Sequence, residues 1–279
     1  MRPETMDLQS ILRTKNLSVI VPVYNEGNSI IENLDLLIRE IEPYFSEFEV
    51  LVISDGCTDS TNERLEGFAH PRVKKIILKK NKGKGHAIRL GFQQVKGDFV
   101  LFIDGGMELH PKEIRTFLGL QVLYNADIVL GSKRHPQSQV RYPKSRRLLS
   151  LVYQFLVNLF FDIDVTDTQV GLKLFKKEVI DSVIGDLSID RYGFDLELLA
   201  LAKLNGYSNM LEAPIRLDYF GRGRRPKLLE YAHILKVGFQ VLKDSIQVYQ
   251  RLNRLKKMKS KFRKDLPPEQ NPAVRGQSV

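Results

Sequence analysis

The sequence predicts an α/β protein whose mainly parallel sheet is covered by helices on both faces. Two patterns carry this. Short, near-continuous apolar runs read as strands of a sheet covered on both faces, and they alternate with apolar residues at helical spacing. Polar residues also collect just past the carboxyl ends of these runs, where open parallel sheets bind their ligands.

Leu17 to Val23 is the first strand, closed by Tyr24-Asn25-Glu26-Gly27, and Ile30, Ile31, Leu34, Leu37, Ile38 and Ile41 then mark one face of a helix. Phe48 to Ser54 is the second strand, with a helix starting near Thr58. Val73 to Leu78 is the third, followed by a helix through Ala87, Ile88 and Phe92. Asp98 to Ile103 and Asp127 to Leu130 are two further strands, with a helix from Pro111 between them. Leu172 to Phe175 is strand-like, and another helix starts near Phe194.

With 279 residues, 43% of them hydrophobic and 27% charged, the chain has the composition of a soluble globular protein that buries one large core or two modest ones. A formal charge of +10 favours anionic partners: nucleotide diphosphates, nucleic acid or an acidic membrane surface. No recognised nucleic-acid module with interleaved aromatics is present, so nucleic acid is not the expected partner. Cys57 is the single cysteine, which excludes an internal disulfide and a Cys-rich zinc site. The amino terminus lacks a signal-peptide pattern, and a reducing cytoplasm is the expected location. The longest apolar candidate, Leu148 to Ile163, is interrupted by Gln154, Asn158 and Asp162 and falls short of the roughly 18 to 20 residues of a membrane span.

Tyr24, Asn25 and Glu26 follow the first strand, Asp55 and Gly56 the second, and Asp104 the fourth. Each suits a turn or a helix cap. Together, at one rim of one sheet, they read as a site.

The ordered motifs Val21-Pro-Val-Tyr-Asn-Glu26, Ile53-Ser-Asp-Gly-Cys-Thr-Asp59, Asn81-Lys-Gly-Lys-Gly-His-Ala87 and Phe102-Ile-Asp104 resemble the GT-A nucleotide-binding half of family 2 glycosyltransferases. Asp167-Thr-Gln-Val-Gly-Leu-Lys-Leu-Phe175 and Gly193-Phe-Asp-Leu-Glu-Leu-Leu199 extend the resemblance to the dolichyl-phosphate glucose and mannose synthase branch, the glucosyl members being the nearer match. The resemblance covers roughly Leu17 to Tyr219. It implies inverting transfer of a hexose from a nucleotide diphosphate sugar, UDP-glucose or GDP-mannose, to a polyprenyl or dolichyl phosphate. By position, Pro22, Tyr24 and Glu26 would line the nucleotide and Asp55 would contact base or ribose. Asp104 would face the diphosphate through a divalent cation, Mg2+ or Mn2+. Two departures stand out: Ser54 replaces the first acid of the usual pair before Gly56, and Gly106 replaces the second acid of the usual Asp-x-Asp. Glu108 is the remaining candidate ligand for the cation. The implied organisation is a GT-A domain over 1–220, with a nucleotide half at about 17–131 and an acceptor half at about 132–220. A basic loop and amphipathic helix follow over 221–264, then a disordered tail over 265–279.

Breaking the anomeric bond leaves growing negative charge on the diphosphate, which cations and backbone donors must meet. Lys82, Lys84, Lys133 and Arg134 are the candidates, with Asp104, Arg134 and Asp195 the catalytic ones. A phosphate acceptor is ionised near neutral pH and attacks without a base, whereas a hydroxyl acceptor needs one. Asp195 is the first candidate for that base and Glu197 its rival. At 3.6 residues per turn they point about 200° apart, and Asp195 suits a simple helix cap equally well. Asp167, Thr168 and Gln169 are placed to shape a sugar pocket, and Arg224, Arg225 and Lys227 form a basic loop expected over the phosphates.

Arg141, Lys144, Arg146 and Arg147 lead into an apolar helix over Leu148 to Phe161, either interfacial or packed on the sheet. The stripe Leu235, Phe239, Leu242, Ile246, Tyr249 and Leu252 ends in a lysine-rich run from Lys256 to Lys264. This suits an anionic membrane surface or a solvated helix end. The expectation is a peripheral, cytoplasmic enzyme with no membrane-spanning helix. Two alternatives stay open: a transferase acting on a glycan or protein hydroxyl, and a non-catalytic module that binds sugar nucleotide or membrane.

Overall fold

A computed structural model describes residues 8–141, 154, 157, 160–161, 163–191, 193–218, 240 and 242–258. In chain order the elements are α1 (Leu8–Leu12), β1 (Asn16–Val23), α2 (Ile30–Ile41), β2 (Glu47–Asp55), α3 (Thr61–Gly67), β3 (Val73–Leu78), α4 (Lys84–Phe92), β4 (Phe99–Ile103) and a 3-10 turn (Pro111–Glu113). They continue with α5 (Ile114–Tyr124), β5 (Ile128–Ser132), β6 (Gln139–Arg141), β7 (Leu172–Lys176), α6 (Lys177–Val183), α7 (Phe194–Leu204), β8 (Met210–Pro214) and β9 (Arg216–Asp218). Residues 242–258 are helical.

Seven strands form one sheet in the order β3-β2-β1-β4-β7-β5-β8, and β6 and β9 pair as a small second sheet. β1 runs parallel to β2 and β4, and β5 parallel to β8. β7 lies between β4 and β5, antiparallel to both. The strand-like run at Leu172 to Phe175 is therefore a central strand, and the expected acceptor half shares one sheet with the nucleotide half.

Apolar residues cover both faces of these strands because side chains alternate along them. Val19 and Val21, Val50 and Val52, and Leu101 and Ile103 pack with α2 and α5, while Ile20, Leu51, Ile53, Val100 and Phe102 pack with α4, α6 and α7. Val248 and Leu252 of the 242–258 helix join the second face. The strand order reverses at β1, with β2 and β3 on one side and β4 on the other. This leaves a crevice at the carboxyl ends of β1 and β4, where doubly wound sheets seat ligands.

The basic loop carrying Arg224, Arg225 and Lys227, the segment Lys144 to Arg147 and the 265–279 tail lie outside the described residues. So do most of the apolar run at 148–161 and the stripe residues Leu235 and Phe239. No helix among the described residues is long and apolar enough to cross a membrane.

Candidate active site

A cavity of about 670 Å³ opens at this crevice. Pro22, Tyr24 and Glu26 after β1, Asp55 after β2, Lys84 at the start of α4, and Asp104 and Glu108 after β4 all lie on its wall, together with Lys133 and Gln169. The three acids expected to converge, Glu26, Asp55 and Asp104, therefore share one cavity.

Their individual roles differ from one another. Both oxygens of Asp55 accept backbone N–H bonds, from Lys82 and from Gly83, each at 2.8 Å. The carboxylate thus holds the β3–α4 loop against β2. Gly83 caps α4 with φ +110°, and a side chain there would run into the Asp190 carbonyl. Of the neighbouring acid, Asp59, one oxygen accepts from the Gly27 backbone at 3.0 Å and the other from the Thr61 backbone at 3.0 Å, fixing the loop that carries Tyr24 and Glu26. Ser54 donates to Asn62 at 2.6 Å inside the protein.

Asp104 is held by its backbone N–H, which donates to the Gly171 carbonyl at 3.0 Å, and by Lys84, whose Nζ lies 2.7 Å from Oδ1 and 3.0 Å from Oδ2. A Cβ at position 171 would overlap the Asp104 carboxylate, which is why glycine stands there. Partial burial alone would depress the Lys84 ammonium, but Asp104, with Asp195 and Glu108 beyond it, holds it above its ordinary value. The same ammonium lies 4.9 Å from the centre of the Phe102 ring. Lys84 is therefore charged and fixed, with its side chain 39% exposed to the cavity.

A divalent cation would find hard oxygen donors in Asp104 and Glu108. Among the described residues no three His, Cys, Asp or Glu side chains converge as a preformed cage. Both oxygens of Asp104 are contacted by Lys84, so a cation there would share that carboxylate with the ammonium and draw its remaining ligands from diphosphate oxygens and water, an arrangement magnesium accepts.

Lys133 lies 2.9 Å from Asp167, and its backbone N–H donates to the same carboxylate at 3.0 Å. Arg134 follows it on the loop but is outside the cavity wall, as is Asp195. Asp195, expected as the base for a hydroxyl acceptor, instead forms a 2.5 Å ion pair with Lys173, a fully buried lysine on β7 that also donates to the Val170 carbonyl at 2.6 Å. Burial pushes the Lys173 ammonium below its ordinary value, against the pull of Asp195. Glu197 points elsewhere, as the helical geometry requires, and accepts from Ser188, Ile189 and Arg251. Sequence reasoning did not single out Arg191, Asn81 or Met107, all on the wall. Arg191 stands just before the Gly193-Phe-Asp motif, the one signal that could have drawn attention to it.

Residues 18–184 match the family described as glycosyl transferase family 2. The chain belongs to this family. The human dolichyl-phosphate β-glucosyltransferase is 33% identical over 207 residues, covering 68% of this chain and 64% of the human protein. The family 2 chain thus spans just under two thirds of that relative's length. Among solved structures, mannosyl-3-phosphoglycerate synthase from Rubrobacter xylanophilus superposes with a TM-score of 0.68 at 16% identity, over 89% of this chain and 79% of that one. Glucosyl-3-phosphoglycerate synthase from Mycobacterium tuberculosis, solved with Mn2+, UDP-glucose and phosphoglyceric acid, gives 0.62 at 20% identity, over 88% and 82%. These likenesses establish a shared GT-A fold for the family 2 chain.

Proposed function

We infer that the protein is a hexosyltransferase that moves glucose or mannose from a nucleoside diphosphate to a polyprenyl phosphate, inverting the anomeric centre. The observation that carries this is the cavity at the β1/β4 crevice, where Tyr24, Glu26, Asp55 and Asp104 meet a fixed, charged Lys84. The name of the human relative favours glucose and a dolichyl phosphate acceptor.

In the reaction, an oxygen of the acceptor phosphate attacks the anomeric carbon from the face opposite the diphosphate, the bond from that carbon to the diphosphate oxygen breaks, and the nucleoside diphosphate leaves. Lys84 meets the charge that develops on the leaving oxygens, and Asp104 keeps its ammonium in place. Asp104 and Glu108 would hold a divalent cation, which would supply further neutralisation of the leaving diphosphate; the presence of Mn2+ with UDP-glucose in the mycobacterial structure supports a cation in general. Asp55 and Asp59 organise the loops that would surround the nucleotide, and Gln169, with Lys133 fixed by Asp167, would border the sugar. No proton has to be removed from an ionised phosphate. This agrees with Asp195 being committed to Lys173, and it favours a phosphate nucleophile over a hydroxyl.

A lipid acceptor brings the enzyme to a membrane surface. Leu242, Ile246 and Tyr249 are exposed along the helix at 242–258, Phe160 lies beside Tyr249 with ring centres 5.5 Å apart, and Arg254, Lys256 and Lys257 follow. An apolar strip beside cations suits an anionic leaflet.

The test is a screen of UDP-glucose and GDP-mannose against short polyprenyl phosphates and against hydroxyl acceptors, with Mg2+ or Mn2+, read by nucleotide release and lipid product. Glucosyl polyprenyl phosphate is the expected product. Turnover only with hydroxyl acceptors, or with none, would refute the proposal.

A further inference from the structure

Among the described residues three cations lie on the wall of the cavity, and two are already engaged, Lys84 with Asp104 and Lys133 with Asp167. Arg191 is the third. It is exposed, and among the described residues its guanidinium makes no ion pair or side-chain hydrogen bond. The chain around it, in contrast, is anchored at several described neighbours. Ser188 and Ile189 donate their N–H groups to Glu197 at 2.9 and 2.8 Å, and Gly193 donates to Asp244 at 3.1 Å. The Asp190 carbonyl accepts from the His86 N–H of α4 at 3.2 Å, and the Asp190 carboxylate pairs with Arg89 at 2.7 Å. Arg251, from the helix at 242–258, braces Glu197 at 2.9 Å. Rigid presentation of an unpartnered guanidinium in a cavity lowers the ordering cost of binding a ligand.

We propose that Arg191 is a phosphate-binding residue of this site, its planar fork taking two oxygens of one phosphate group. Guanidinium is suited to this because its donors match phosphate geometry in pairs, which an ammonium cannot do. The side chain lies beside Gly83, at the amino-terminal end of α4 that also carries Lys84, so the group it takes lies next to the one Lys84 meets. That group is either the donor diphosphate or the acceptor phosphate. The assignment rests on reading the cavity as a nucleoside diphosphate sugar site.

The experiment uses the full chain with Arg191→Gln and Arg191→Lys. UDP-glucose binding is measured by calorimetry, and donor and acceptor KM and kcat are measured with a short polyprenyl phosphate. Arg191→Gln is expected to weaken one of the two ligands by about 10 to 100-fold, with the Lys variant recovering only part and both melting as the wild type does. A raised donor Kd with unchanged acceptor KM assigns the donor diphosphate, and the converse assigns the acceptor phosphate. Wild-type constants for both ligands in an active Arg191→Gln enzyme would overturn this assignment alone. A wild-type protein that converts no donor and acceptor pair would remove the functional reading itself, and with it the assignment.

Discussion

Lys173 and Asp195 form an ion pair with almost no solvent around it, Lys173 fully buried and Asp195 6% exposed. Removing one partner strands the other charge, so Asp195→Asn is expected to cost about 3–5 kcal/mol in urea unfolding. Replacing both residues with apolar side chains of similar size should restore most of that. An Asp195→Asn protein of unchanged stability but no turnover would instead make Asp195 a catalytic group. Lys84 is the opposite kind of lysine, half in solvent and paired with a carboxylate on the cavity wall. Lys84→Met should leave unfolding nearly unchanged and lower kcat/KM for the donor by about 10 to 100-fold, the size expected of hydrogen bonds to charged groups. Measuring both variants in both assays separates a structural ammonium from a functional one.

Between elements, the first three strands are tied at their amino-terminal ends by Glu49 of β2. It accepts from Ser18 of β1 at 2.8 Å, from Lys74 of β3 at 2.7 Å and from the Lys96 backbone at 3.2 Å. Burial alone would raise the Glu49 carboxyl, but Lys74 and Ser18 outweigh it and hold it below the usual 4.5. A depressed carboxyl contributes its stability above the unfolded value and loses it as pH falls through the folded one. Glu49→Gln should therefore unfold about 1–3 kcal/mol more easily than the wild type near neutral pH, a gap that closes below pH 4.5. A gap that persists in acid would mean the charge is not what matters. At the other end of the sheet, β7 and β4 meet at Gly171 and Asp104. Gly171→Ala pushes the Asp104 carboxylate away from Lys84, so donor affinity should fall while the fold persists, read by calorimetry and circular dichroism.

For the molecule as a whole, the metal question follows from the donor set. Asp104 and Glu108 make no complete cage among the described residues, so calorimetry should detect Mn2+ binding at micromolar levels only when UDP is present to complete the coordination. Tight binding of Mn2+ to the protein alone would contradict this. Much of the architecture was legible beforehand. Strands buried on both sides need near-continuous apolar runs, and the parallel β1, β2 and β4 stand within a residue or two of those runs, while β3 at the sheet edge is half-exposed and carries Lys74 and Lys75. Local composition also put Tyr24, Glu26, Asp55 and Asp104 at strand ends, which the sheet order then made neighbours. β7 is harder to read, because a central antiparallel strand carrying a lysine breaks the apolar pattern, and the partner of Lys173, Asp195, is 22 positions away. The contacts of Asp55 with the Lys82 and Gly83 backbone and of Asp195 with Lys173 were not legible, nor was the place of Arg191 on the cavity wall. A carboxylate reads the same in sequence whether it binds a ligand, a backbone amide or a buried ammonium, and an arginine reads the same whether paired or presented. The sequence alone determined the first five strands and β7, though not β6, β8 or β9, and which acids stand at the strand ends. Only the tertiary structure decided which charges neutralise one another and which still face the cavity, because that depends on distances across the fold that no local pattern encodes.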